Sequence, residues 1–115
     1  MNVSIIGAST TKFGELWSVS PRTLAHEAMD GALKDAAMKP RDIQALFVGN
    51  MLSGMLGGQE HLGAFFAEEL GFTHAAAFKV EGACASGGLA IHNAFNAIAS
   101  GQYETVAVLG VEKMT

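Results

Sequence analysis

Residues Ala76-Ala-Phe-Lys-Val-Glu-Gly-Ala-Cys-Ala-Ser-Gly-Gly-Leu-Ala90 decide the reading of this chain. Ala76–Val80 is a short apolar run of strand length, and Cys84 opens a segment, running to about Ser100, that is rich in helix-compatible small and apolar residues. A junction between a strand and a helix, built from small residues, is a place where a backbone presents one side chain to solvent. Cys84 is the only cysteine of the 115 residues. The first turn of a helix carries amide donors without internal partners and the positive end of the helix dipole, and both favour thiolate over thiol. Cys84 is therefore the candidate nucleophile, set against the plainer reading of a small buried hydrophobe.

Outward from this junction, strands and helices alternate. Val3–Ile6 reads as a β-branched strand ending at Gly7, followed by a polar loop to Val19. Ser20-Pro21 opens a helix with serine as N-cap and proline at the first helical position. Its apolar stripe is formed by Leu24, Ala25, Ala28, Met29, Ala32, Leu33, Ala36 and Ala37, and Pro40 ends it. Ala45–Val48 is a second strand, and residues 49–58 form a glycine-rich loop. A helix over about Gln59–Leu70 buries Leu62, Phe65, Phe66 and Leu70 and stops at Gly71. Ala76–Val80 is the third strand and Thr105–Val111 the fourth. The order β-α-β-α-β-α-β predicts an α/β fold with a mainly parallel sheet. The unbroken apolar run Val106-Ala-Val-Leu-Gly-Val111 is expected of a strand covered on both faces. The helix after Cys84 is apolar almost all round, which predicts a buried helix with a partner or further chain on its outer side.

Composition bounds the function. Half of the residues are hydrophobic and 16% are charged, which fits one packed domain rather than a disordered segment. The net charge of −4, with seven scattered Lys and Arg, excludes a basic nucleic-acid face. A single cysteine excludes an internal disulfide and a cysteine-rich zinc site and fits a reducing compartment. The sequence shows no basic leader and no bilayer-length apolar run, so the expected location is the cytoplasm, with no membrane partner.

Three motifs compete around Cys84. Gly82-x-x-x-x-Gly87 has the glycine spacing of a phosphate-binding loop, but Gly88 and Leu89 stand where lysine and serine or threonine are required. The first strand, ending Gly7-Ala-Ser9, lacks the dinucleotide fingerprint. Gly82-Ala-Cys-Ala-Ser86 is similar to a nucleophile elbow with cysteine for serine, which leaves a cysteine hydrolase as an alternative. The third motif spans two segments. Val80-Glu-Gly-Ala-Cys-Ala-Ser-Gly-Gly88 together with Ile98-Ala-Ser-Gly-Gln-Tyr-Glu-Thr-Val-Ala-Val-Leu-Gly-Val-Glu-Lys-Met-Thr115 closely resembles the first half of thiolases, in particular archaeal and sterol-carrier-type members. Val3-Ser-Ile-Ile-Gly7, Thr11-Lys-Phe-Gly14 and Phe47-Val-Gly-Asn50 resemble that family too, so the resemblance runs along the whole chain.

The resemblance implies Claisen condensation of acetyl-CoA to acetoacetyl-CoA, or its thiolytic reverse, with Cys84 as acyl acceptor. Coenzyme A thioesters would be substrates, with no bound cofactor and no metal. Residues 1–115 would be the N-terminal part of the first thiolase-like domain, with the second half absent. In the family that half carries a histidine that deprotonates the cysteine, enolate-stabilising His and Asn, and a second cysteine. His26, His61, His74 and His92 lack the family's surrounding motifs, so each is expected to be structural or solvent-facing. Glu81 and Glu112 have no paired carboxylate in the sequence pattern. Met51 and Met55 are candidates for lining an acyl or pantetheine channel. The expected assembly is a homodimer or higher oligomer, or a complex with a second-half subunit, and the alternative role is a non-catalytic fragment that dimerises. The archaeal likeness points to isoprenoid-precursor biosynthesis.

Overall fold

The computed structural model describes residues 2–114, and its architecture follows from one central strand. β1 (Ala45–Gly49) lies between β2 (Ala76–Val80) and β3 (Val106–Gly110), and both neighbours run parallel to it. All five residues of β1 are buried. The chain moves from β1 to β2 on one side, then crosses back over β1 to reach β3. Right-handed crossovers travelling in opposite directions along a sheet must place their helices on opposite faces. That arrangement is found: α1 (Pro21–Ala36) and α3 (Leu62–Glu69) cover one face, and α4 (Ser86–Ala99) covers the other.

The first layer buries Ala25, Met29 and Leu33 of α1 and Leu62, Phe66 and Ala67 of α3 against Leu46 and Val48 of β1 and Ala107 and Leu109 of β3. The second is smaller and packs Ala90 and Ala94 of α4 on Ala45 and Phe47. Phe47 also stacks on Phe78 of β2, with ring centroids 4.9 Å apart. α1 begins as its sequence dictates, with Ser20 Oγ accepting from Thr23 N at 3.1 Å and Pro21 at the first position. It ends earlier than Pro40, at Ala37, whose left-handed backbone directs its N–H to the Leu33 and Lys34 carbonyls.

Several expectations are revised. Residues 3–6 are not a strand: the backbone after them is committed to α1 through Ala8 N, which donates to Asp35 Oδ2 at 3.0 Å, and Ile5 is 82% exposed. The observed order is therefore α-β-α-β-α-β with a parallel sheet of three strands among the described residues. The glycine-rich loop contains a single helical turn, α2 (Ser53–Leu56), and the helix expected from Gln59 starts at Leu62, after His61 adopts a left-handed backbone. β3, expected to be covered on both faces, lies at an edge of the sheet among the described residues and alternates in burial, and the covered strand is β1. α4 is buried on its sheet side only: Leu89, Ile91 and Phe95 on its other surface are between 38% and 54% exposed.

Gly63 fixes how closely α3 sits on β2. A Cβ there would stand 2.8 Å from the Phe78 carbonyl carbon, inside contact distance with backbone that cannot retreat. Gly88, on α4, has nothing within 4 Å of a Cβ position. Gly63→Ala is therefore expected to lower the unfolding free energy by about 1–3 kcal/mol, whereas Gly88→Ala leaves it unchanged or raises it by about 0.5–1 kcal/mol. Urea unfolding of the two variants checks the contrast.

Candidate active site

The carboxyl ends of the three strands lie level, because register pairs Gly49 with Val80 and with Gly110. From the end of β1 the chain leaves toward the α3 face, and from the end of β2 it leaves toward the α4 face. Adjacent strands whose connections depart to opposite faces open a crevice at their carboxyl ends, where open α/β sheets place ligands. Cys84 sits on the connection that leaves β2, and it is exposed.

The turn carrying Cys84 is built from residues 81–86. Ala83, next to the cysteine, has φ of 53°, a left-handed conformation that residues with a Cβ seldom adopt. Both sides of Ala83 are tied down: its N–H donates to Glu81 Oε2, and its carbonyl accepts from Ser86 Oγ at 2.7 Å. Ser86 Oγ also accepts from Gly82 N at 3.0 Å, and Ser86 is almost fully buried. The helix expected from Cys84 starts two residues later, at Ser86, because the left-handed residue interrupts helical backbone just ahead of the cysteine. The cysteine therefore stands at the mouth of α4, outside its first turn.

A second cluster occupies the end of β1. Asn50 is 2% exposed, and its N–H donates to Val80 O at 3.2 Å. Its Nδ2 donates to Val111 O at 2.6 Å and to Glu112 Oε1 at 3.2 Å, and its Oδ1 accepts from Ser53 N at 3.0 Å. The Glu112 carboxylate further accepts from Met51 N and Leu52 N, both at 2.9 Å. Glu112 thus acts as a fastening for the loop after β1, and Glu81 as a brace for the Cys84 turn. The two carboxylates serve different segments and form no acid-base pair.

The remaining predicted residues lie apart from Cys84. His26 is on α1, 3.3 Å from Glu69 Oε1 and 3.8 Å from Asp30 Oδ2. His92 faces out from α4 beside Asn96, and His61 and His74 are exposed before and after α3. Among the described residues no histidine hydrogen-bonds to Cys84 and no group of His, Cys, Asp and Glu is arranged to hold a metal. A cavity of about 210 Å³ lies beside the loop after β1, lined by Asn50, Ser53, Leu62, Phe66 and Glu112 among others. Neither Cys84 nor Met51 nor Met55 lines it, and Met55 is largely exposed. No helix of the described residues is long and apolar enough to cross a membrane.

With this geometry in place, the chain can be set beside known proteins. Residues 3–115 match the family model described as thiolase, N-terminal domain. The chain belongs to the thiolase family. It is 47% identical over 114 residues to an acetyl-CoA acetyltransferase of Methanothermobacter thermautotrophicus, a match covering 99% of this chain and 30% of that protein. A Methanocaldococcus jannaschii acetyl-CoA acetyltransferase is 46% identical over 114 residues, covering 99% of this chain and 29% of that protein. The chain thus spans about a third of the length of these relatives. Among solved structures, the priming β-ketosynthase of the R1128 polyketide pathway superposes with a TM-score of 0.73 at 28% identity, over 84% of this chain and 28% of that one. The parallel α/β architecture is common to these thiolase-like and ketosynthase-like neighbours.

Asn50 and Ser86 escaped the reading of the sequence. Each is a small polar residue just beyond a strand or at the start of a helix, which is the place where side chains satisfy loose backbone groups. Ser86→Ala removes the acceptor of Gly82 N and the donor to Ala83 O, two part-buried hydrogen bonds, and is expected to cost about 1–3 kcal/mol in all. Chemical denaturation measures that loss, and a variant as stable as the parent would show that the turn holds without the hydroxyl.

Proposed function

We propose that in the whole protein Cys84 accepts an acyl group from a coenzyme A thioester, in the first step of a thiolase-type reaction. The observation that carries this reading is an exposed cysteine held on a constrained turn at the carboxyl ends of parallel strands, inside a chain matched throughout by the thiolase N-terminal domain. The Cys84 sulfur forms a bond to the acetyl carbonyl carbon, the bond from that carbon to the coenzyme A sulfur breaks, and the thiol proton ends on the departing coenzyme A. Covalent capture divides a difficult condensation into two easier steps. The Cys84 amide, at the mouth of α4, would donate to the oxyanion, a contact worth about 3 kcal/mol. A second acetyl-CoA, having lost an α-proton, then bonds through that carbon to the acyl carbon. The bond from the acyl carbon to the Cys84 sulfur breaks, the sulfur takes up the proton, and acetoacetyl-CoA is released, while thiolysis runs the same steps backwards.

We further propose the condensing direction, isoprenoid-precursor supply and a cytoplasmic setting; the names of the two relatives support the acetyl-transfer part of this reading. For assembly we propose a dimer through β2, an edge strand on which Phe78 is 43% exposed, with two copies pairing antiparallel across a two-fold axis.

Incubation of the full-length enzyme with acetyl-CoA, followed by mass spectrometry of the Cys84 peptide, is expected to show an added acetyl group. Cys84→Ser should keep the fold and lose both label and turnover, and an unlabelled Cys84 in active enzyme would overturn the assignment. The 115-residue chain alone is expected to show no turnover with acetoacetyl-CoA and coenzyme A, since positioned acid-base groups are each worth roughly 10²–10⁴-fold in rate. Phe78→Lys is expected to shift the protein to monomer or to insolubility, as read by light scattering.

A further inference from the structure

Glu112 is remote from Cys84 in sequence, yet a short path of contacts joins them. Its carboxylate holds the Asn50 side chain and the Met51 and Leu52 amides. Asn50 in turn grips both neighbouring strands at their ends, through Val111 O on one side and Val80 O on the other. Val80 is the residue from which the Cys84 turn departs. One position earlier, Gly49 lies so close to α4 that a Cβ there would be 2.7 Å from Ser86 O and 2.9 Å from the Gly87 Cα. Ser86 is the residue whose hydroxyl shapes the Cys84 turn. The Gly49-Asn50 segment is therefore pressed against the base of the turn, and Glu112 determines where that segment sits.

We infer that Glu112 is a positioning residue for Cys84: by fastening Asn50 and the following loop across the ends of β1 and β3, it sets the placement of the turn that presents the thiol. This rests on the reading of Cys84 as acyl acceptor. A carboxylate suits the role because it accepts three hydrogen bonds with two oxygens and has no donor. Its amide isostere has nearly the same shape but turns an N–H₂ toward one of the donors, either Met51 N or the pair Leu52 N and Asn50 Nδ2. The loop must then shift, and the ends of the strands with it.

The test is single-turnover acetylation of Cys84 in the full-length enzyme, followed on the Cys84 peptide. Glu112→Gln is expected to slow acetylation about tenfold, as a small misplacement of a reacting group does. The acetyl-CoA concentration giving half-maximal rate should stay the same. Leu33→Ala, a core truncation toward the far end of α1, supplies the contrast: it should lower thermal stability at least as much and leave the acetylation rate within about twofold, because it is not connected to the turn. A folded Glu112→Gln enzyme that acetylates at the parent rate, or a Leu33→Ala enzyme slowed equally, overturns the proposal. If Glu112→Gln does not fold, Asn50→Ser, which removes the Nδ2 donor, is judged by the same criteria. Alkylation of Cys84 by iodoacetamide separates the two readings. Should the parent take no acetyl group, the acyl-acceptor reading falls, and the positioning role is decided by alkylation alone. There a change of about threefold or more in Glu112→Gln supports it and equal rates refute it.

Discussion

The burial of β1 on both faces is the constraint on which the rest of the molecule depends. A five-residue strand with no polar side chain has to be covered above, below and along both edges. Two parallel partners supply the edges, and helices supply the faces. Parallel partners force long crossovers, and the back-and-forth path β1, β2, β3 forces those crossovers to opposite sides. The parting of the chain at the strand ends beside Cys84 is a by-product of that path, because neighbouring connections leave for opposite faces at the same level of the sheet.

Around this frame the chemistry is arranged by small polar contacts rather than by packing. Ser86, Glu81, Asn50 and Glu112 each satisfy backbone groups that regular structure leaves open, and in doing so they convert three loose strand ends into one rigid rim. The left-handed Ala83 carries a local conformational cost, of the order of 1–2 kcal/mol. It persists because hydrogen bonds fix the peptide groups on both of its sides.

Much of this was legible from residue order. Ser20-Pro21, the apolar run of β1 and the boundaries of β2 carry their own local signals, and the structure places α1, β1 and β2 within a residue of them at their starts. The motif around Cys84 located the exposed turn. What was not legible depends on tertiary context. Val3–Ile6 has every local mark of a strand, but a strand exists only by pairing, and the residues that follow bind α1 instead. Coverage of β3 was over-read, because an apolar edge strand and an apolar central strand look alike in sequence. Glu112, in the sequence only a carboxylate with no paired partner, is a fastening in the structure. Its partners are backbone amides some 60 residues away, invisible to any spacing rule.

The order of the strands also bears on how the chain acquires its shape. β1 meets β2 across 31 residues but meets β3 across 61. Chains emerge from the ribosome amino end first, so the nearer pair and its helix can assemble while the farther strand is still being made. The contacts of Glu112 join residues 60 to 62 apart and come after those of β3 itself. In a growing chain the cysteine turn would thus precede its surroundings, and the rim would tighten only as β3 docks on β1, making that docking the kinetic event that turns a peptide thiol into an ordered one.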